Sequence, residues 1–156
     1  MPEVTEGSRA PDFRLPSTEG EVRRDALLAE GPLVLAFYFE DATPACETEV
    51  SMLRDAHDDL RALGARVLAV STDSLESHRA FAERLGGVPF PLASDAGLAV
   101  ARAYGVVDEG DPRRSRRAVF VIAPDATVRL ALPRFQPNNI AHVEAIVRTV
   151  AEAPGA

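Results

Sequence analysis

Residues 33–38 read Leu-Val-Leu-Ala-Phe-Tyr, and no other stretch of this 156-residue chain limits its fold as strongly. Six consecutive apolar residues, rich in strand formers, are far too few to cross a membrane and suit a β-strand buried on both faces. Such a strand belongs inside a sheet covered by helices, and the chain supplies a helix directly afterwards. Glu40-Asp41 breaks the run, Thr43 suits an N-cap, and Pro44 suits the first helical position. Glu47 and Glu49 complement the positive end of the helix dipole. Cys46, the only cysteine, falls in the first turn. A thiol there faces unpaired backbone N–H groups and a partial positive charge, the setting that favours a nucleophilic thiolate. A lone cysteine also serves as a small buried hydrophobe. The local residues alone leave both readings open.

The remaining totals mostly exclude. The length suits one domain, residues 1–156, with a full hydrophobic core. A net charge of −7 argues against nucleic acid or an anionic membrane as the main partner. No apolar run approaches the length of a membrane-spanning helix, and no apolar segment follows the N-terminus. One cysteine rules out an internal disulfide and points to a reducing cytoplasm. With His57, His78 and His142 scattered, no ligand set for structural zinc or an iron–sulfur cluster is present, and neither metal nor cofactor is expected.

Phe13 and Leu15 alternate with polar neighbours, and Ser17-Thr-Glu-Gly20 separates them from Glu21-Val22-Arg23, which predicts an N-terminal β-hairpin. Residues 25–30 form a helical turn stopped by Gly31-Pro32. From Pro44 a helix runs to Gly64 with Val50, Leu53, Ala56, Leu60 and Leu63 on its apolar face. Residues 66–71 are a second apolar strand. Asp73-Ser74 caps a helix whose core face is Leu75, Ala80, Phe81 and Leu85. Prolines restrict residues 88–95 to a short strand or extended loop, and residues 96–104 form a short helix ended by Gly105. A polar loop over 108–115 leads to two strands, 118–122 and 127–132, joined as a hairpin. A last helix carries Ile140, Val143, Ile146, Val147 and Val150 on one face. The order predicts an α/β fold: a central mixed β-sheet flanked by helices, with an N-terminal β-hairpin.

Four segments carry a resemblance. Ala10-Pro11-Asp12-Phe13-Arg14-Leu15 is similar to the A-P-D-F-x-L opening of the peroxiredoxins. Phe37-Tyr38-Phe39-Glu40-Asp41-Ala42-Thr43-Pro44-Ala45-Cys46-Glu47-Thr48-Glu49 resembles their F-Y-P-x-x-x-T-P-x-C-x-x-E segment. Ser71-Thr-Asp-Ser74 with Ser77-His78 and Phe81, then Phe90-Pro91-Leu92-Ala93-Ser94-Asp95, follow the family's second helix and F-P-L-x-S-D turn. Arg117-Ala118-Val119-Phe120-Val121-Ile122 is similar to its R-x-x-F-V-I strand. The match spans residues 7–150 in order and spacing and is nearest to the bacterioferritin comigratory protein type. Many of those relatives carry a second cysteine five residues after the first, where this chain has Ser51. The resemblance implies a thioredoxin-like fold, in a monomer or homodimer.

It also implies a one-cysteine thiol peroxidase acting on hydrogen peroxide and organic hydroperoxides, reduced by an external thiol or thioredoxin-like protein. In that chemistry Cys46 attacks a peroxide oxygen and becomes a sulfenic acid, while donors at the helix N-terminus stabilise developing charge. Thr43, one turn earlier, places its hydroxyl beside sulfur and peroxide or simply caps the helix. Arg117 is the cation that stabilises the thiolate and holds the peroxide, in preference to Arg113, Arg114 and Arg116, which read as a solvated cluster. Arg116 points to the opposite face of the sheet. Glu49 orients Arg117 through a carboxylate–guanidinium pair. The family's proline seven residues before the cysteine is replaced by Phe39, which carries over only as a pocket-lining residue. Pro44 supports the turn. His57 and His78 read as helix-surface residues.

Two rival functions remain compatible with the residues. A thiol–disulfide oxidoreductase is disfavoured because Thr43 stands where a C-x-x-C motif needs a second cysteine. A peroxiredoxin-like redox sensor or binding module with weakened catalysis is supported by Phe39 and the missing second cysteine.

Overall fold

The computed structural model describes residues 4–41 and 43–153; Ala42, in the segment that carries Cys46, lies outside the described residues. In chain order the elements are β1 (Arg14–Ser17), β2 (Gly20–Arg23), α1 (Arg24–Leu28), β3 (Leu33–Phe37), α2 (Pro44–Ala62), β4 (Arg66–Ser71) and α3 (Leu75–Arg84). They continue with β5 (Leu92–Ser94), α4 (Ala99–Tyr104), β6 (Ala118–Ile122), β7 (Val128–Leu132) and α5 (Ile140–Glu152). The strands form one seven-stranded sheet in the order β2-β1-β5-β4-β3-β6-β7.

The apolar run lies near the middle of this sheet. β3 pairs in parallel with β4 and antiparallel with β6, so both of its edges are hydrogen-bonded. Period-two alternation sends Leu33, Leu35 and Phe37 into one apolar layer with Phe120 and Tyr104. Val34, Ala36 and Tyr38 enter the opposite layer, which also holds Cys46, Val50 and Leu53 of α2, Phe81 of α3 and Ile146 of α5. A strand covered on both sides needs apolar residues at every position, which is why this stretch shows no polar alternation. β1 and β2 form the N-terminal hairpin, and β6 and β7 form the other, as the sequence predicts.

The approach to β3 depends on Gly31. Its φ is +147°, and a Cβ there would overlap the Gly64 carbonyl oxygen just beyond α2. Any side chain would push the end of α2 away from the start of the strand.

Three predicted core positions differ. Ile140 is 72% exposed because it opens α5 at the solvent edge, and Leu63 is 38% exposed at the C-cap of α2. On α3 the predicted Ala80 faces solvent and His78, expected on the surface, is fully buried. The imidazole is tolerated inside because both ring nitrogens have acceptors: Nδ1 lies 2.9 Å from Asp41 Oδ2, and Nε2 lies 2.9 Å from the Ala93 carbonyl. Tyr38 and Ser77 also donate to Asp41, at 2.6 and 2.7 Å. This buried group ties the loop after β3 to α3 and β5. Among the described residues no helix is long and apolar enough to cross a membrane.

Candidate active site

Strand β3 leads toward the start of α2, and Phe39, just beyond the strand, lines the cavity of the site. Pro44 occupies the first position of α2, where its missing N–H costs nothing, and Cys46 follows in the first turn. Cys46 is fully buried, and its sulfur accepts a hydrogen bond from the Phe39 backbone N–H at 3.3 Å. Thr43 stands at the N-cap with extended backbone, and its carbonyl accepts the first helical bond, from Glu47 N–H at 2.9 Å. Its hydroxyl makes no capping bond and instead donates to the Glu40 carbonyl at 3.2 Å.

Glu49 lies one turn after Cys46, on the same side of the helix, and is fully buried. Neither carboxyl oxygen has a hydrogen-bond partner among the described residues. Burial holds its pKa well above the usual carboxylate range, negative charge at Cys46 pushes it further, and Arg117 opposes both. The dry space around α2 therefore accommodates one negative charge far better than two.

Arg117 stands immediately before β6. Val119 and Val121 line the Cys46 side of the sheet while Ala118, Phe120 and Ile122 line the other, so the alternation puts Arg117 on the cysteine side. Its buried Nε has no hydrogen-bond partner among the described residues, and its guanidinium forms no ion pair with Glu49 at contact distance. The expected Glu49–Arg117 pair is thus one of proximity across the site and not a direct bond. A cavity of about 220 Å³ is lined by Phe39 and Arg117 together with Asp108, Arg116, Arg134, Phe135 and Gln136; Phe39 links it to Cys46, whose sulfur accepts the Phe39 N–H. A guanidinium lining a small cavity that shares Phe39 with the thiol can bind an oxygen-rich substrate and neutralise charge on a leaving oxygen.

The other arginines do not form the solvated cluster predicted for them. Arg113 is exposed and paired with Asp111. Arg114 bridges Glu40 at 3.2 Å and Asp73 at 3.0 Å. Arg116 is only 8% exposed, and its guanidinium donates to the carbonyls of Pro133 and Gly105 at 2.8 and 2.9 Å. It is consumed by holding the loop that precedes β6.

Asp41, Asp73 and His78 bring three potential metal donors within 4.8 Å. Their atoms are already engaged. His78 uses both nitrogens, and Asp41 accepts from Tyr38, Ser77 and His78. Asp73 accepts from Ser71, Arg114 and the Asp41 N–H. The donor set fits a structural hydrogen-bond network and not a metal centre.

Sequence reasoning did not single out Ser115, Phe135 or the Asp41–His78 pair. Phe135 arrives from beyond β7, where its N–H donates to the Arg117 carbonyl at 3.0 Å, and no local pattern marks that closure.

Comparison with known proteins accords with this geometry. Residues 7–131 match the AhpC/TSA family profile. The chain belongs to the AhpC/TSA family. Peroxiredoxin Q from the chloroplast of Sedum lineare is 34% identical over 87% of this chain and 73% of its own. A Coxiella burnetii protein assigned as a peroxiredoxin of the bcp type is 31% identical, over 90% of this chain and 95% of its own. Among solved structures, the peroxidoxin BcpB of Mycobacterium tuberculosis superposes with a TM-score of 0.86 at 31% identity, covering 96% of this chain and 98% of the other. These likenesses place the chain in the peroxiredoxin group with a thioredoxin-like fold, near the bacterioferritin comigratory protein type.

Proposed function

We propose that the chain is a thiol-dependent peroxidase that reduces hydrogen peroxide and organic hydroperoxides through Cys46. The observation that carries this reading is the lone thiol in the first turn of α2, held by the N–H of Phe39, a residue that lines a small cavity together with Arg117. The Cys46 thiolate attacks the nearer peroxide oxygen, the O–O bond breaks, and the alkoxide or hydroxide departs and takes up a proton. Arg117 neutralises charge on the departing oxygen. The sulfur is left as a sulfenic acid. With no second cysteine in the chain, an external thiol condenses with the sulfenic acid to give a mixed disulfide and water. A second thiol then releases the reduced enzyme. A small thiol or a thioredoxin-like protein meets that chemistry, and no metal or organic cofactor takes part. Thr43, Phe39 and Pro44 shape the turn around sulfur, and Glu49 sets the charge beside it. The reading places the protein in a reducing compartment such as the cytoplasm.

The complete burial of Cys46 favours one other reading, a slowly reacting redox sensor on the same fold. Stopped-flow mixing of reduced protein with hydrogen peroxide separates the two. Rapid stoichiometric oxidation, with a trapped sulfenic acid and no reaction in Cys46→Ser, is expected. Oxidation no faster than that of a free thiol would refute the peroxidase.

A further inference from the structure

The Tyr38 carbonyl and the Phe39 N–H are two ends of one trans peptide unit, so they point in opposite directions. Both ends are engaged inside the protein. The carbonyl accepts from Ser115 Oγ at 2.8 Å, and the N–H donates to Cys46 Sγ at 3.3 Å. Ser115 and Cys46 are 1% and 0% exposed, so water competes for neither bond. The flanking residues fix the unit further. Tyr38 N–H donates to the Val70 carbonyl at 2.9 Å, extending the pairing of β3 with β4. Arg114 pairs with Glu40, and its guanidinium carbon lies 6.0 Å from the centre of the Phe39 ring.

We infer that the Tyr38–Phe39 peptide unit, aligned by the Ser115 hydroxyl, is a thiolate-stabilising donor to the reacting sulfur. An ionised sulfur accepts a hydrogen bond more strongly than a thiol, so an N–H aimed at it favours the ionised form. The Ser115 hydroxyl, donating to the other end of the same amide, polarises it and strengthens its N–H as a donor. A helix start favours a thiolate in its first turn through unpaired N–H groups; this peptide adds a donor from the strand side. A proline at position 39 has no N–H to offer. The family proline and Phe39 are therefore not equivalent pocket walls, because the phenylalanine adds a bond to sulfur. The contact has an opposing effect as well: a thiolate stabilised this way is a weaker nucleophile, so more of it forms but each one reacts more slowly. Ser115 is a positioning residue, since it acts only through the peptide.

The inference rests on the peroxidase reading only for its catalytic consequence; the ionisation of Cys46 is measurable without peroxide. The test is a pH titration of ultraviolet thiolate absorbance on the full-length reduced chain, with Cys46→Ser subtracted as the tyrosine background. Glu49 on α2 and Arg117 before β6, the charged groups that neighbour the sulfur, remain in every variant. Phe39→Pro deletes the N–H and follows Tyr38, whose own N–H continues the pairing of β3 with β4, a setting in which a residue before proline is tolerated. It is expected to raise the midpoint of thiolate formation by roughly one pH unit. Ser115→Ala is expected to raise it by less, with Ser115→Thr restoring the original midpoint. Phe39→Leu, which keeps the N–H and loses the ring, is expected to leave it in place. An unchanged midpoint in Phe39→Pro, or an equal shift in Phe39→Leu, overturns the inference. If Phe39→Pro fails to fold by circular dichroism, the Ser115 pair decides: a midpoint unmoved by Ser115→Ala, or unrestored by Ser115→Thr, overturns it.

Discussion

Glu49→Gln should stabilise this protein progressively as pH rises, and the slope of that gain can be worked out from the site. The carboxyl is fully buried, without a hydrogen-bond partner among the described residues, beside a thiol that competes for negative charge. Its folded pKa is raised well above the ordinary 4.5. A raised carboxyl keeps its proton in the folded state after the unfolded chain has lost it. Its contribution is thus fully present below 4.5 and declines as pH rises toward the folded value. In that window each pH unit removes about 1.4 kcal/mol from the wild type, whereas glutamine does not titrate. For a chain of this size about 1 kcal/mol corresponds to 2–4 °C in Tm. The Tm difference between Glu49→Gln and wild type should therefore widen by roughly 3–6 °C per pH unit above 4.5 until the buried carboxyl itself ionises. The buried amide adds its own cost for unpaired donors, about 1–3 kcal/mol, but that offset does not change with pH. The assay is thermal unfolding by circular dichroism at a series of pH values, with both proteins reduced. Repeating the series in a Cys46→Ser background removes the charge on sulfur and should end the widening at a lower pH. A Tm difference that stays constant with pH would show that Glu49 does not carry a raised pKa and would refute the one-charge account of the site.

Three further substitutions test the surrounding structure. Arg117→Ala should slow peroxide oxidation of Cys46 at least tenfold, a loss of about 1.4 kcal/mol of transition-state stabilisation, with little change in Tm. Arg116→Ala should do the reverse, lowering stability by roughly 2–4 kcal/mol through the unpaired carbonyls of Gly105 and Pro133 while the folded fraction still reacts; equal kinetic effects would overturn the assignment of roles. Asp41→Asn should make stability less sensitive to acid. Burial raises the Asp41 pKa, but the bonds from His78, Tyr38 and Ser77 outweigh it and leave it below the ordinary 3.8. The wild type consequently loses this contribution as pH falls through the folded value, and the variant has none to lose. Guanidinium unfolding at neutral and acidic pH would show a narrowing gap between the two; a gap that widens toward low pH would contradict it.

The element order was legible in the residues because each strand and helix carries a local reason for itself. The unbroken apolar run of β3 requires cover on both faces, Pro44 starts α2, and the Ser74 side chain caps α3 by accepting from Ser77 N–H at 3.1 Å. The place of Cys46 in the first turn of α2 follows from the same local chemistry. What the sequence could not settle was which polar groups meet across the fold. His78 looks like a surface residue on α3 because its partners, Asp41 and Ala93, come from a loop and a strand 37 and 15 positions away. Arg114 and Arg116 read as a solvated cluster because the atoms that bind them belong to Glu40, Asp73, Gly105 and Pro133. Phe39 showed as a departure from proline, but the direction of its N–H depends on where β3 stops relative to α2. Local propensity is written in neighbouring residues and can be read along the chain. The direction of a buried hydrogen bond depends on how separate elements dock, and at this site docking turned an apparent loss into a donor aimed at sulfur.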